Sequence, residues 1–153
     1  MSKPLIIANW KMNPSTIKEA RKLFSEEKKT EAVICPPFQY LSEFKYENLC
    51  AQDCYWEEKG AYTGEVSPLA LKDMGVKYVI IGHSERRNNF NETDEMINKK
   101  IKAALNAELI PILCVGEKRG ESAEEIIERQ LEIDLQEIPE ENLKNIVIAY
   151  EPV

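Results

Sequence analysis

The sequence predicts a parallel α/β fold, organised as a single domain over residues 1–153, and three observations carry that prediction. First, short unbroken apolar runs such as Tyr78-Val79-Ile80-Ile81 suit strands buried on both faces, as parallel strands are. Second, stretches with apolar residues at helical spacing separate these runs. Third, the runs stop abruptly at glycine, proline or a dense polar cluster, so that chemistry-bearing residues collect at strand ends.

The elements follow in order. Leu5 to Ala8 reads as a strand and Asn9 to Asn13 as a polar turn. Pro14 and Ser15 open a helix, with Ser15 or Thr16 as its cap and Ile17, Ala20, Leu23 and Phe24 on its inner face. Ala32 to Cys35 is the next strand, halted by Pro36-Pro37, and Tyr40, Leu41 and Phe44 suggest a short helix. Leu49 to Ala51 is a short strand, followed by a long loop from Gln52 to Val66. Pro68 to Met74 is helical with proline in its first turn, and Gly75 ends it before the strand Tyr78 to Ile81. Thr93 caps a helix carrying Ile97, Ile101, Ala104 and Leu105. Ile110 to Val115 is a strand with its proline near the start, where a missing donor does least harm. Ser122-Ala123-Glu124-Glu125 has the form of a capping box and opens a helix through Ile126, Ile127, Leu131 and Leu135. Ile146 to Tyr150 is the sixth strand. This β-then-α rhythm fits either an open doubly wound sheet or part of a (β/α)₈ barrel. No glycine-rich phosphate loop follows a strand, which weakens the nucleotide-binding version.

Composition narrows the partners. Of 153 residues, 43% are hydrophobic and 31% charged, enough for a real core, and the net charge of −7 argues against nucleic acid and anionic membranes. No run is long enough to cross a membrane, and the first residues show no signal-peptide core, so a cytoplasmic location is expected. The four cysteines, Cys35, Cys50, Cys54 and Cys114, are expected to be reduced thiols, mostly buried. With one histidine and no second spaced cysteine pair, no metal site is expected.

Three strand ends stand out: Asn9-Trp10-Lys11-Met12-Asn13, Gly82-His83-Ser84-Glu85-Arg86-Arg87, and Glu151-Pro152. Taken singly, Lys11 suits a solvated loop lysine, His83 a satisfied core histidine and Glu151 an exposed strand-end carboxylate. In a parallel barrel the three converge on one face. A carboxylate, an imidazole and a fixed cation together suit proton abstraction beside a carbonyl, with the imidazole and lysine stabilising the enediolate oxygen.

These three segments, with Ala149-Tyr150-Glu151-Pro152-Val153 as the third, resemble the signatures of the triosephosphate isomerase family, in the right order. Gly60 to Pro68 is similar to the family's third loop and Cys114-Val115-Gly116-Glu117 to its fifth-strand segment. The resemblance implies a TIM barrel and the cofactor-free interconversion of dihydroxyacetone phosphate and glyceraldehyde 3-phosphate, a reaction of glycolysis and gluconeogenesis. It implies Glu151 as base, His83 as electrophile, Lys11 holding the substrate oxygen and Asn9 positioning it. Ser84, Glu85 and Cys114 would stand behind these groups, with Cys114 packing near the base rather than acting as a nucleophile. A helix starting just after His83 would keep the imidazole neutral. The resemblance also implies a homodimer in which the Thr63 loop enters a neighbouring subunit, with Glu65 and Arg86 as contacts there. Asn91 stands where the family usually has glycine, and the helix after Gly120 is short.

A complete barrel of this kind takes about 250 residues. The expectation is therefore an incomplete barrel of six βα strands, truncated after the sixth, without the last two units, the lid after the base and the phosphate-gripping glycines. The open edges of the first and sixth strands, and an exposed barrel interior, would favour association, as a dimer or a larger assembly. The alternative is a truncated non-catalytic protein, a weak sugar-phosphate binder or an interaction module.

Overall fold

The computed structural model describes residues 4–153. Six strands occupy Ile7–Asn9 (β1), Val33–Cys35 (β2), Cys50–Ala51 (β3), Tyr78–Ile81 (β4), Ile110–Val115 (β5) and Val147–Tyr150 (β6). Seven helices occupy Ile17–Glu27 (α1), Phe38–Leu41 (α2), Pro68–Asp73 (α3), Ser84–Asn89 (α4), Asp94–Asn106 (α5), Ala123–Asp134 (α6) and Glu140–Leu143 (α7). A short 3₁₀ turn at Lys28–Thr30 follows α1.

All strand pairs are parallel. β1 pairs β2, and β3 through β6 pair in sequence. An Ile34–Leu49 bridge and the Ile34 N–H, which donates to the Asn48 carbonyl at 3.0 Å, join the two sheets. The order thus runs from first to sixth without reversal. A doubly wound sheet needs a point where strand order switches, and there is none among the described residues. The arc is that of a barrel.

Alternation along each strand sorts the core into two layers. One side packs on the helices: Ile34, Ala51, Val79, Ile81, Leu113 and Val115 lie with Ala20, Phe24, Ile97, Ile101 and Ala104. The other side forms its own cluster from Val33, Cys35, Cys50, Tyr78, Ile80, Ile112 and Cys114. This inner layer is buried, contrary to the expected exposed interior, because its side chains cover one another. Among the described strands, the exposed large apolar side chains fall at the two ends of the arc, on the side that packs on helices elsewhere. Ile6, ahead of β1, is 62% exposed, and Ile148 and Tyr150 on β6 are 47% and 56% exposed. The four cysteines are buried free thiols.

Local signals account for most boundaries. Thr16, Ser67 and Thr93 each accept a backbone N–H three residues on, capping α1, α3 and α5. Ser122 precedes α6 but makes no side-chain capping bond, so the capping box read there does not form. β1 begins at Ile7 rather than Leu5, as its first ladder bonds depend on Val33 and not on the apolar run itself. Gly82 has φ +75 and turns the chain sharply between β4 and His83. Asn91 also lies in the left-handed region, at φ 55, which asparagine tolerates better than most residues and where the family usually has glycine.

One buried group escaped the sequence reading. Lys100 on α5 is 2% exposed, with its Nζ 2.8 Å from both Asp53 oxygens and 2.5 Å from Glu92 Oε1. Arg86 Nε joins the cluster at 2.8 Å from Asp53 and 2.5 Å from Glu92. This ionic knot ties the loop after β3 to α4 and α5. Burial pushes the Asp53 carboxyl up to about 6, against the pull of Lys100.

Candidate active site

The carboxyl ends of β1, β4 and β6 bring three of the predicted groups together. His83 is the N-cap of α4, and its Nδ1 accepts the Glu85 N–H at 3.2 Å. An accepting Nδ1 carries no proton, which puts the proton of the neutral ring on Nε2. That nitrogen faces Glu151 Oε2 at 3.2 Å. The other Glu151 oxygen accepts the Ser84 backbone N–H. Ser84 therefore serves the carboxylate through its main chain rather than its hydroxyl.

Lys11 enters from the other end of the arc. Its φ of 55 is uncommon for a lysine, and two bonds hold it there. Its N–H donates to Asn9 Oδ1 at 2.9 Å, and its carbonyl accepts from Gln52 Nε2 at 2.8 Å. The same Gln52 nitrogen donates to the Cys35 carbonyl at 2.9 Å, so one amide clamps the loop after β1 to the end of β2. The Lys11 Nζ lies 2.7 Å from Glu85 Oε1, and Glu85 Oε2 lies 3.6 Å from His83 Nδ1. Glu85 thus links the two, holding lysine with its carboxylate and histidine with its backbone N–H. Asn9, Lys11, Gln52, His83 and Glu85 line one cavity of about 690 Å³.

The backbone fixes the base. The Glu151 N–H donates to the Val115 carbonyl at 2.9 Å, and the Tyr150 hydroxyl lies 3.0 Å from Glu117 Oε1. That bond, ahead of desolvation, raises the Tyr150 phenol above its ordinary range. Cys114, one strand away, is 4% exposed, and burial together with the Glu151 charge pushes its thiol up to about 12. A thiol so firmly protonated packs and does not attack.

Of the other expected residues, Thr63 and Glu65 lie away from this cavity, whereas Arg86 is part of its wall. Thr63 and Glu65 are exposed on the long loop, beside a ring group of Tyr55, Trp56 and Tyr62. Arg86 is engaged within its own chain by Asp53, Glu92 and the face of Phe90 at 4.9 Å. Gln52 went unread because an amide in a loop gives no pattern; its place one residue past a strand end is the only hint. No group of three or more metal-ligating side chains occurs among the described residues.

A parallel barrel arc with carboxylate, imidazole and lysine at its strand ends defines a class: barrel proteins that work at the carboxyl face. The family is fixed by comparison. The triosephosphate isomerase family model matches residues 4–153. The triosephosphate isomerase of Dictyoglomus thermophilum is 51% identical, over all of this chain and 68% of its own length. That of Clostridium botulinum is 47% identical over the same shares. The crystal structure of triosephosphate isomerase from Bartonella henselae superposes with a TM-score of 0.87 at 37% identity, covering 98% of this chain and 68% of that one. The chain belongs to the triosephosphate isomerase family, and it spans about two thirds of the length of these relatives.

Proposed function

We propose that the chain performs its family's reaction, interconverting dihydroxyacetone phosphate and glyceraldehyde 3-phosphate, with Glu151 as base and His83 and Lys11 as the groups that hold the substrate oxygen. The observation that carries this is the 3.2 Å contact between His83 Nε2 and Glu151 Oε2, with Lys11 tied to the same imidazole through Glu85.

The chemistry follows from these positions. A substrate carbonyl in the cavity takes a hydrogen bond from the His83 Nε2–H and faces the Lys11 ammonium. Glu151 turns from the Ser84 N–H and removes the proton from the adjacent carbon. The electron pair moves onto the oxygen, and the enediolate so formed is held by donors already aimed at it. His83 Nε2 gives its proton to the former carbonyl oxygen and takes one back from the neighbouring hydroxyl, whose oxygen becomes the new carbonyl, while Glu151 returns its proton to the former carbonyl carbon. Asn9 acts by holding Lys11 in its strained backbone conformation. Each step uses side chains alone.

The test is a coupled assay on glyceraldehyde 3-phosphate with the purified chain and its Glu151→Asp variant. Turnover that falls by about 10²-fold or more in the variant supports the base. Turnover indifferent to the change overturns it.

Self-association belongs to the same reading. The exposed Thr63 loop and the open edges of β1 and β6 favour a homo-oligomer, with Glu65 and Arg86 near the contact. Light scattering should show a mass above that of one chain, reduced by Thr63→Arg. A monomer in both would remove the interface. A cytoplasmic location fits a reaction on free phosphorylated trioses, and fractionation of the source cells tests it.

A further inference from the structure

The two residues that α6 buries most deeply are polar: Gln130 is 5% and Asp134 0% exposed. They stand four residues apart and so share one face, one turn from each other. Each is linked to a different strand end, Gln130 to that of β5, against which Glu151 packs, and Asp134 to that of β4. Gln130 Oε1 accepts the Gly116 N–H at 2.9 Å, and Gln130 Nε2 lies 3.4 Å from the Gly116 carbonyl. Gly116 packs directly on the Glu151 backbone, where any Cβ would collide with the Glu151 carbonyl.

Asp134 works through Arg87. Its Oδ2 accepts from Arg87 Nη2 at 2.9 Å. The same guanidinium donates from Nε to the Gly82 carbonyl at 2.8 Å and from Nη2 to the Cys114 carbonyl at 3.2 Å. Its Nη1 pairs with Asp94. The fit is tight, since a Cβ on Gly82 would come within 3.1 Å of Arg87 Nη2 and 3.3 Å of the Cys114 carbonyl. Gly82 is the residue before His83. One arginine therefore sets the carboxyl ends of β4 and β5 relative to each other.

We infer that Gln130 and Asp134 are positioning residues: one face of α6, through Gly116 and Arg87, sets the spacing of Glu151 and His83. Neither touches the reacting groups. Packing alone does not call for this arrangement, because apolar side chains of similar volume fill such a space without burying charge. Among the described residues Asp134 Oδ1 is buried without a hydrogen-bond partner, a cost that helix packing does not explain. The catalytic meaning rests on the proposed isomerase reading; the geometric claim is tested without turnover.

His83 is the only histidine, so the imidazole ¹⁵N resonances of the labelled chain report it alone. The measurement, at one fixed pH, is the displacement of the Nε2 resonance caused by Glu151→Gln, which replaces the carboxylate facing that nitrogen. It is repeated in chains carrying Asp134→Asn or Gln130→Leu, with thermal unfolding as the check that each is folded. In either folded background the displacement should fall to about half or less, since a hydrogen bond weakens steeply once its atoms leave the 3 Å range. A full displacement in both, or in the only variant that folds, overturns the inference. Failure of both to fold also overturns it, assigning the network to stability. No displacement in the unaltered chain would remove the His83–Glu151 pairing itself, and the proposed function with it.

Discussion

The centre of the arc and its two ends are built differently. β4 and β5 have strand neighbours on both sides, and nearly every side chain on them is buried. β1 and β6 have one strand neighbour each among the described residues, and no residue on either is fully buried. The site takes its histidine from the rigid centre and its lysine and glutamate from the two ends. Packing on both sides fixes the strand that carries the first, and hydrogen bonds then set its end, whereas hydrogen bonds alone must position the others. Gln52 does so for Lys11, and the Gly116 contact with the Val115 carbonyl bond does so for Glu151.

Four measurements break or sharpen that contrast. The largest effect is expected at the end of β6. Glu151→Gln keeps the shape but removes the base, and turnover should drop by about 10²- to 10⁴-fold with little change in unfolding temperature. A smaller drop would mean that another group takes the proton.

The next concerns charge beneath the centre. Burial pushes the Asp134 carboxyl from 3.8 up to about 7, despite Arg87. A carboxyl whose pKa is higher folded than unfolded binds its proton more tightly in the native state. Its stabilisation is full below the unfolded value and is lost as pH rises from about 4 to about 7, on the order of a few kcal/mol. Urea midpoints measured across that window should fall with rising pH, and Asp134→Asn should flatten the slope. An unchanged slope would place the titration elsewhere, with Asp53, also raised, as the first candidate.

Ile81 and Ile148 compare centre and end with one side-chain type. Ile81→Ala at a fully buried site should cost about 2–5 kcal/mol, while Ile148→Ala, at 47% exposure, should stay within about 1 kcal/mol. Equal costs by urea unfolding would show that the β6 face is covered in solution, as in an oligomer. The smallest effect falls at Gln52. Gln52→Ala removes both amide bonds, frees the left-handed Lys11 backbone, and should lower kcat/KM by about tenfold, equivalent to roughly 1.4 kcal/mol. Full activity would show that Asn9 alone holds the lysine.

The contrast also explains what could be read in advance. β4 and β5 were legible to the residue, because strands flanked on both sides must be apolar throughout. β1 was shifted, since an end strand takes its limits from one neighbour. His83, Lys11 and Glu151 stood out as polar residues at strand ends. Gln52, Gln130 and Asp134 did not, and Arg87 did only as one of the polar cluster after β4. A helix such as α6 shows an apolar stripe in Ile127, Leu131 and Leu135, and a polar residue beside that stripe looks solvated until a partner from another element appears. Lys100, in the middle of α5, misleads for the same reason.

By itself, the sequence determined the strand-and-helix order, the parallel class, the family and the side chains with chemistry to offer, because periodicity, turn residues and local motifs are properties of adjacent positions. The tertiary structure alone decided that the strands run in unbroken order, that the inner layer covers itself, and that Lys11 is held by a glutamine 41 residues away. It also decided that two polar residues on α6 lie beneath the ends of β4 and β5. Those outcomes depend on which distant groups meet out of water, where a buried polar atom must find its partner or bear the cost of lacking one.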